Sequence, residues 1–474
     1  FTFSDDGKAE AELVFVGDGI TAPDLNYDDY AGIDVKGKVV LLAQDFPREK
    51  DQQSPFRDPK NYRYGEWRYK VTNARDHGAA GVLAVRDDWN HPAKDEIPAW
   101  RGSVNSRAGL VAARVTLAAL AAADVDAAAL AEPIATDLKP HSRALGVKVV
   151  MTVAVAHDRA WTANLVGMIA GSDPAVRDEC VVVGAHYDHL GLGGESSAAP
   201  DLVGQVHPGA DDNASGTAAL LEVARAFAAQ PAPRRTVVFV AFSGEELGVL
   251  GSSFFVKNPP APFALPRMQL MVNLDMVGRP QQERLFVQGV DTAKGLRAQV
   301  QSMVELSPPI ALRIEMSGEG FGSSDNASFY AKDVPVLFLF TGAHTDYHRP
   351  SDTADKIDAA GLGEAVRLAW RMARFAADET NRLEVERVAS APPTGDSARS
   401  SRPSLGTIPD FAERSEPGVL ITGVMPGSPA EKAGLRGGDV LLRLGAKKIM
   451  NLQDFQYALV GQRPGDELEL EYAR

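Results

Sequence analysis

The sequence predicts an α/β fold for the middle of the chain, with a mostly parallel sheet covered by helices on both faces. One observation is a set of continuous apolar runs of strand length, as expected for strands buried on both faces. Another is that helical stretches with apolar residues at helical spacing, 215–229 and 360–378, alternate with these runs. Such alternation is typical of parallel sheets, whose ligands bind at the carboxyl ends of the strands. The strand-like runs are 180–185 (CVVVGA), 236–242 (TVVFVAF), 270–276 (LMVNLDM) and 334–340 (VPVLFLF).

The 474 residues divide into three regions and one linker. Residues 389–402 read ASAPPTGDSARSSR, a Pro/Ser-rich segment that indicates an interdomain linker, with a long surface loop as the alternative. The α/β region before it spans 147–388. Residues 1–146 mix short strands with Ala-rich helical stretches and predict a small α+β domain. Residues 403–474 alternate strands with Pro/Gly turns and predict a mostly-β domain.

The composition excludes several classes of protein. Hydrophobic residues make up 45% and charged residues 24% of the chain, which is ordinary for a globular protein and excludes a disordered chain or a coiled coil. With 49 Lys and Arg against 63 Asp and Glu, the net charge is −14 and no basic block is present, so we expect no nucleic-acid partner. No apolar run reaches the roughly 18 residues of a transmembrane helix. Cys180 is the single cysteine, so no intrachain disulfide can form.

Imidazole and carboxylate side chains gather at the carboxyl ends of the predicted strands. They are His186 and Asp188 after the first strand, Asp211 and Asp212 before the first helix, Glu245 and Glu246 after the second strand, Asp275 in the third, and His348 in the loop after the fourth. Each motif alone is commonly structural, but their joint occurrence at one edge of a sheet is not. Because carboxylates held close together repel one another, such a cluster needs a positive charge.

A pair of zinc ions satisfies this requirement. Neutral imidazole and carboxylate are ligands that suit zinc. Two zinc ions carry a charge of +4, which three carboxylate ligands and a bridging hydroxide neutralise, and co-catalytic metals about 3.5–4 Å apart serve aminopeptidases and phosphatases. In His186-x-Asp188 the strand period places both side chains on one face, so Asp188 can accept the second N–H of His186. Of the adjacent Glu245 and Glu246, one can bind metal while the other acts as a base.

The motifs HYDHLG, GADDNASG, SGEELGVLGS, NLDMVG and DYHRPSDT together resemble the di-zinc aminopeptidase family. The resemblance covers about 162–378 and implies a three-layer domain with a mixed, mostly parallel sheet that binds two zinc ions. It implies that Asp211, followed by a cis peptide bond to Asp212, bridges both metals. Glu245 would be the general base, Tyr347 would stabilise the oxyanion and Asp188 would orient His186. The remaining ligands would be His186 and Asp275 on one zinc, and Glu246 and His348 on the other.

Three further histidines lie near these candidate residues in the sequence. His344 is an alternative ligand to His348, which we prefer because of its DYHxxxDT context. His189 and His207 flank the Gly/Ser-rich loop 191–208, and we interpret them as loop or supporting residues. The segment Ser324-Asp325-Asn326 departs from the Ser-Asp-His that is frequent in relatives, which leaves the side-chain preference of the substrate pocket open.

The flanking regions resemble two other modules. Residues 1–146 are similar to a protease-associated domain through DYAGIDVKGKVVLL and NARDHGAAGVLAV. Residues 403–474 resemble a bacterial PDZ domain through LGTIPDF and GSPAEKAGLRGGDVL, and we expect this domain to be truncated. A PDZ domain binds a peptide C-terminus by strand addition. The residues that would offer backbone N–H groups to that carboxylate are Leu405, Gly406, Thr407 and Ile408.

Together these features favour a zinc aminopeptidase that acts on the N-terminal bond of peptides. A carboxypeptidase or dipeptidase is the alternative on the same site, with Arg279 or Arg313 as the clamp for a substrate carboxylate. A glutaminyl cyclase is a third option, and an inactive peptide-binding scaffold is the hypothesis from a different class. The family resemblance implies a secreted or periplasmic location. The chain starts at Phe1, so we expect its ends to be trimmed.

Overall fold

The structure is a computed structural model of the chain. It describes residues 1, 3–85, 95–97, 107–156, 160–194, 196–388, 404–410, 414, 416–460, 462 and 465–474. The predicted linker 389–402 lies outside the described residues. The chain divides into two compact units, Phe1–Arg159 and Ala160–Arg474. Among the described residues, no helix is long and apolar enough to cross a membrane.

A five-stranded sheet forms the frame of the first unit. The elements of this unit are β1 (Gly7–Phe15), β2 (Thr21–Ala22), β3 (Tyr27–Asp28), β4 (Val39–Ala43), α1 (Trp67–Asp76), β5 (Gly81–Val85), β6 (Ala112–Val115), α2 (Leu117–Ala121), α3 (Ala127–Asp137) and β7 (Arg143–Val153). The sheet order is β6–β5–β4–β1–β7, with all pairs parallel except β1–β7. The apolar β4 is central and buried along its whole length. Strand β7 continues past the domain boundary predicted at residue 146.

The second unit is built on a seven-stranded mixed sheet, in agreement with the predicted fold class. Its first elements are β8 (Leu165–Ile169), β9 (Cys180–His186), α4 (Gly216–Ala228), β10 (Thr236–Phe242), α5 (Leu250–Lys257), β11 (Met268–Leu274), β12 (Arg284–Gln288), α6 (Leu296–Glu305), β13 (Arg313–Ser317), α7 (Asn326–Tyr330), β14 (Val336–Phe340) and α8 (Ala359–Asp378). The order is β13–β12–β14–β11–β9–β10–β8. The four central strands β14, β11, β9 and β10 are parallel, whereas β8 and β12 run antiparallel to their inner neighbours.

Helices cover both faces of this sheet because its central strands are apolar on both sides. Helices α4 and α8 pack on one face, where Val223 and Leu368 join alternate residues of the strands in the larger core. Phe255 of α5 and Phe329 of α7 pack with the other strand residues on the opposite face. The predicted strand 270–276 is shifted in the structure to Met268–Leu274, so that Asp275 is the first residue after the strand.

The C-terminal module, residues 404–474, has its own small core. Its elements are β15 (Thr407–Pro409), β16 (Val419–Val424), α9 (Pro429–Lys432), β17 (Val440–Leu444), β18 (Lys447–Lys448), α10 (Leu452–Val460) and β19 (Leu470–Ala473). Strands β15 to β18 are neighbours in chain order, and β19 pairs with β17. The module contacts the seven-stranded domain through Lys257 Nζ, 2.5 Å from Asp410 Oδ2, and through Lys332 Nζ, which donates to Thr422 O at 3.4 Å.

Candidate metal centre

The central parallel strands deliver their polar side chains to one edge of the sheet. His186 is the last residue of β9, Asp275 follows β11 directly, and Glu245 and Glu246 follow β10 after a two-residue turn. His348 lies in the loop after β14. Because parallel strands end at the same edge, these residues come together although the chain separates them widely.

One cluster forms around the imidazole of His186. Its Nε2 lies 3.3 Å from Asp212 Oδ1 and 3.4 Å from Asp275 Oδ1. One potential ligand atom from each of these three residues lies within 4.8 Å of the others. This is an arrangement of one nitrogen and two oxygens that can hold a metal ion.

A second cluster shares the other oxygen of Asp212. His348 Nε2 lies 3.2 Å from Asp212 Oδ2 and 3.1 Å from Glu246 Oε2. His189 Nδ1 lies 2.7 Å from Glu246 Oε1, and His189, Asp212 and Glu246 each offer a potential ligand atom within 4.8 Å of the other two. Asp212 is therefore common to both clusters, with one carboxylate oxygen facing each.

This geometry corrects the prediction that Asp211 takes the bridging position. The carboxylate of Asp211 accepts the N–H of Gly278 at 2.7 Å and faces His344 Nε2 at 3.2 Å. The backbone of Asp212 is not helical, with φ −105° and ψ 90°, and this turns its side chain to the opposite side from Asp211. The cis peptide bond is also one residue later than predicted, between Asp212 and Asn213.

The segment that carries Asp212 is held by a buried carboxylate. Asp352 is fully buried, and its Oδ2 accepts the backbone N–H groups of Asp211 at 3.0 Å and Asp212 at 3.1 Å. Gly209 begins the segment with φ 62°, and a Cβ there would lie 2.3 Å from Asp212 O, so only glycine fits. Asp352 stands in the quoted DYHRPSDT motif, but nothing in its sequence spacing indicates that it reaches this segment.

The structure gives Asp188 a role different from the one predicted. His186 Nδ1 lies 3.1 Å from the backbone oxygen of Asp188, whereas the nearer carboxylate oxygen is 3.7 Å away. The carboxylate instead accepts the backbone N–H groups of Glu245 at 3.1 Å and Glu246 at 3.3 Å. Asp188 therefore holds His186 through its main chain and holds the two glutamates through its side chain.

The imidazoles and carboxylates of the clusters shift one another's pKa values in opposite directions. Burial alone would lower the pKa of His186, but the facing carboxylates, first of all Asp275, raise it well above its ordinary value. Burial tends to raise the pKa of Asp212, yet the imidazoles of His186 and His348 hold it well below the usual range. Burial raises the pKa of Glu245 well above its usual value, and the charges of neighbouring carboxylates add to this effect.

The residues present fit zinc. The Nε2 atoms of His186, His189 and His348 are buried, and among the described residues none of them has a hydrogen-bond partner. Because buried polar atoms usually have hydrogen-bond partners, buried ring nitrogens that face carboxylates without hydrogen-bonding geometry are the arrangement expected of metal ligands. Imidazole and carboxylate are both established zinc ligands.

A cavity of about 390 Å³ opens beside the clusters. Asp212, Glu245 and Asp275 contribute carboxylates to its lining, and among the described lining residues there is no lysine or arginine. Apolar surface comes from Met276, Phe338, Phe340 and Ala343, with Gln288, Ser323 and Tyr347 as polar residues. The cavity therefore combines an acidic end with an apolar wall.

Tyr347 lines this cavity and is partly exposed. Its ring stacks on His348 with the centroids 3.8 Å apart, and 41% of its surface is exposed. Burial, followed by the negative charge of Asp212, raises the pKa of its hydroxyl, so the hydroxyl keeps its proton. It can therefore donate a hydrogen bond to a molecule in the cavity.

His344 and His348, the two alternative ligands, face different members of the Asp211–Asp212 pair. His348 faces Asp212 and Glu246, as the preferred choice requires, whereas His344 lies between Asp211 and Arg279 NH1, 3.2 Å from each. Of the two loop histidines, His207 is buried against Ser197 Oγ at 2.8 Å. His189, by contrast, belongs to the second cluster, where it contacts Glu246. The sequence interpretation allowed it a supporting role but missed this contact, and the available signal was that His189 directly follows His186-x-Asp188.

The predicted carboxylate-binding residues of the C-terminal module lie at the edge of its sheet. Residues 405 and 406 precede β15, and Thr407 and Ile408 belong to it. The carbonyls of Leu405 and Gly406 accept the N–H groups of Ala430 at 2.8 Å and Met425 at 2.7 Å. These bonds fix the turn that leads into β15, which is the first strand of its sheet.

Comparison with known proteins identifies three domains. Residues 164–373 match peptidase family M28, residues 9–123 match the PA domain and residues 403–474 match the PDZ domain. The central domain of the chain therefore belongs to peptidase family M28, with a protease-associated domain before it and a PDZ domain after it.

Two named relatives each match about two fifths of this chain. Aminopeptidase YwaD of Bacillus subtilis is 31% identical over 198 residues, which is 40% of this chain and 39% of that protein. Leupeptin-inactivating enzyme 1 of Streptomyces exfoliatus is 30% identical over 194 residues, 41% of this chain and 38% of that protein. The chain thus spans about two fifths of the length of these two relatives.

Two solved structures are also similar. The aminopeptidase from Aneurinibacillus sp. strain AM-1 is 23% identical to this chain, with a TM-score of 0.44. The match covers 81% of this chain and 79% of that protein's chain. BSAP, a zinc aminopeptidase from Bacillus subtilis, is 21% identical to this chain, with a TM-score of 0.44. The match covers 82% of this chain and 78% of that protein's chain.

Proposed function

We propose that the chain is a zinc-dependent aminopeptidase that removes N-terminal residues from peptides. The observation that carries the proposal is the pair of clusters that share Asp212 and open into a cavity lined by carboxylates. The M28 membership of the central domain and the names of its relatives, among them aminopeptidase YwaD, support the same activity.

Two zinc ions would be held by five side chains. His186 and Asp275 would bind one ion, Glu246 and His348 would bind the other, and Asp212 would bind both. His189, 2.7 Å from Glu246, would fix the orientation of that carboxylate. Bound zinc supplies Lewis-acid polarisation of a carbonyl and lowers the pKa of water.

Glu245 is the residue best suited to move the proton. It lines the cavity, and its Oε2 lies 4.0 Å from His186 Nε2, beside the clusters but outside both sets of ligand atoms. A carboxylate in that position can take a proton from the attacking water and deliver it to the leaving amine. Asp188 sets its position through the backbone N–H of Glu245.

Tyr347 would stabilise the negative charge that develops on the substrate carbonyl oxygen. Its hydroxyl keeps its proton, and the residue lines the cavity. A hydrogen-bond donor aimed at this oxygen stabilises the transition state more than the ground state. The stacking of Tyr347 on His348 holds its ring in place.

The lining of the cavity suits the amino end of a peptide better than its carboxyl end. Its described residues include no lysine or arginine to hold a substrate carboxylate, as a carboxypeptidase requires, whereas Glu245, which stays outside the two sets of ligand atoms, can attract a free α-ammonium group. Arg279 is committed to Asp346 Oδ2 at 2.9 Å and to His344, and it does not line the cavity. Arg313 lies on β13, at the edge of the sheet, and pairs with Glu315.

The apolar wall suggests which first residue is preferred. Phe338 and Phe340 stack with their ring centroids 5.8 Å apart and line the cavity together with Met276. A substrate side chain that enters this wall would lose its contact with water. Binding would therefore be most favourable when the first residue of the peptide is apolar.

The PDZ domain would bind the C-terminus of another peptide. Strand addition along the outer edge of β15 would bring the peptide carboxylate towards Leu405, Gly406, Thr407 and Ile408.

Secretion or residence in the cell envelope would fit a peptidase of this domain composition, and fractionation of a producing cell tests this location.

The test is a digest of two peptides that differ only at their amino end. A leucine-initiated peptide with a free amino terminus and its acetylated form are incubated with zinc-loaded protein and analysed by mass spectrometry. Stepwise loss from the N-terminus of the free peptide alone is expected. Loss from the C-terminus of either peptide would replace the proposal with a carboxypeptidase, and no cleavage by zinc-loaded protein would favour a binding role.

A Glu245→Gln variant makes the same test specific for the site. Because Gln cannot accept the proton, kcat should fall by about 10²- to 10⁴-fold while zinc content stays that of the unaltered protein. Metal content is measured by atomic emission on the same sample. A variant that keeps full activity would exclude Glu245 as the base.

A further inference from the structure

A second cavity lies where the PDZ domain contacts the M28 domain. This seam groove has a volume of about 570 Å³ and is lined on the M28 side by residues that include Leu265, Tyr330 and Lys332, and on the PDZ side by residues that include Val424 and Arg436. It is larger than the cavity beside the metal centre and shares no lining residue with it. It also does not include the carboxylate-binding turn of the PDZ domain.

The seam groove is cationic on a chain that is strongly acidic overall. Lys332, Arg382, Arg387 and Arg436 line it, and Asp333 is the single acidic residue among its described lining residues, whereas the chain carries a net charge of −14. Arg387 NH2 lies 2.7 Å from Asp333 Oδ1, so these two charges cancel. Three positive charges remain without a balancing carboxylate in the lining.

These three cations are available to a ligand. Among the described residues none of them forms an ion pair: Arg382 donates to Met268 O at 3.3 Å, Lys332 donates to Thr422 O at 3.4 Å, and Arg436 shows no side-chain hydrogen bond. Like charges that converge on one groove repel each other, and an anion in the groove relieves that repulsion.

Much of the remaining lining is apolar, which favours an organic ligand over a bare inorganic anion. Leu265, Pro266, Phe321, Val424 and Pro426 give the groove hydrophobic surface between its cations. A bare inorganic anion would leave this surface unused, whereas a chain that carries carboxylates and apolar groups at peptide spacing would use both. The volume lies in the range of sites that bind small organic ligands or short peptide segments.

We propose that the seam groove binds a short acidic peptide that contacts the M28 and PDZ domains at the same time. Lys332 and Arg382 on one side and Arg436 on the other receive its carboxylates, while its apolar side chains lie against Phe321 and Val424. The site differs from the PDZ turn because it needs no peptide C-terminus. It differs from the metal centre because it needs no free amino end.

Its position gives the bound peptide a route to the metal centre. Phe321 lines the seam groove, and Ser323, two residues later in the same segment, lines the cavity beside the metal clusters. The ring of Phe321 packs on Tyr330 with the centroids 4.6 Å apart, which ties this segment to α7. A ligand that contacts Phe321 therefore contacts the segment that shapes the substrate cavity.

Isothermal titration calorimetry with the full chain tests the proposal. The probe is the peptide Glu-Leu-Glu-Glu, acetylated and amidated so that neither an exopeptidase nor the PDZ turn can use its ends. Its control is Gln-Leu-Gln-Gln with the same blocked ends. We expect the acidic peptide to bind at least about tenfold more tightly, and its affinity to fall as salt rises from low to physiological concentration.

Matched substitutions locate the site. Lys332→Gln and Arg436→Gln, one on each side of the groove, should each weaken binding of the acidic peptide by about three- to tenfold. Arg443→Gln is the control, because Arg443 lies on β17 of the PDZ domain and pairs with Glu471 at 3.2 Å outside the groove. Thermal melts verify that all variants are folded.

The proposal is overturned by any of three results. The acidic and neutral peptides could bind equally, Arg443→Gln could weaken binding as much as Arg436→Gln, or only one of the two groove variants could have an effect. Because both peptides have blocked ends, a failure here is independent of whether the chain is an aminopeptidase.

Discussion

Asp211 and Asp212 are adjacent carboxylates with opposite surroundings. Asp211 is held by the N–H of Gly278 and by His344, so its charge is satisfied within the protein. Asp212 faces two imidazoles, His186 and His348, whose Nε2 atoms have no hydrogen-bond partner among the described residues. The first arrangement is structural and the second is that of a shared metal ligand.

Substitution of each aspartate by asparagine should separate these roles. Asp212→Asn removes the charge and one oxygen between the clusters, so the protein should lose most of its zinc and its activity. Asp211→Asn should keep its zinc but lose about 1–3 kcal/mol of stability, because the amide cannot satisfy both Gly278 and His344. Metal content by atomic emission and urea unfolding distinguish the two variants. Equal zinc loss in both would contradict the assignment.

The sequence could predict the chemistry of this site but not the choice between these neighbours. Residue types and motif order indicated imidazole and carboxylate ligands for two metals. Which carboxylate of a pair faces the metals depends on backbone dihedrals, here the non-helical conformation of Asp212. Contacts across the chain, such as that of His189 with Glu246, are likewise invisible to local patterns.

At the scale of single elements, the loop after β14 supports the metal centre as well as contributing to it. It carries His348, and it also carries Asp352, whose carboxylate accepts two backbone N–H groups of the segment that bears Asp212. One loop thus supplies a candidate ligand and fixes the position of another.

Asp352→Ala should therefore weaken zinc binding although Asp352 is not a ligand. Its loss leaves the N–H groups of Asp211 and Asp212 buried and unpaired, which costs about 1–3 kcal/mol for each and lets the segment move. Asp352→Asn keeps one oxygen acceptor and should recover much of the affinity. Competition with a chromogenic chelator measures zinc affinity, and unchanged affinity in the alanine variant would show that the segment is held by other contacts.

The strands of the metal-bearing sheet were the most predictable elements, because burial on both faces requires continuous apolar runs. The run 236–242 is a strand with the predicted ends, and Cys180 begins β9 as predicted. Helix α4 also follows its apolar spacing, with Leu220 only 4% exposed and the neighbouring Leu221 60% exposed. The antiparallel strand β8 escaped prediction because it is an edge strand with a short, largely exposed sequence.

The two leucines of α4 give a matched test of this packing. Leu220→Ala leaves a cavity in the larger core and should cost about 2–5 kcal/mol of unfolding free energy. Leu221→Ala removes the same atoms from an exposed site and should change stability by less than about 0.5 kcal/mol. Chemical denaturation measures both. Similar losses would mean that α4 does not pack as described.

At the scale of the whole molecule, both compact units have hydrophobic cores, but the metal clusters lie in the second unit. All the candidate ligands come from the second unit, and they come from several segments of it that are distant in sequence. The first unit has its own cores, which include Val40 and Leu41 of β4, and none of its described residues belongs to the metal clusters. Zinc should therefore act on the stability of one unit only.

Removal of the metal should lower one thermal transition and leave the other in place. Without zinc, the carboxylates of Asp212, Glu246 and Asp275 repel each other, and the free energy of metal binding, about 4 kcal/mol at a thousandfold excess over Kd, is lost. Scanning calorimetry with and without chelator should show the transition of the second unit several degrees lower, and added zinc should restore it. Asp212→Asn should already melt at the lower temperature and respond little to chelator. A uniform shift of all transitions, or none, would mean that the clusters do not hold the second unit together.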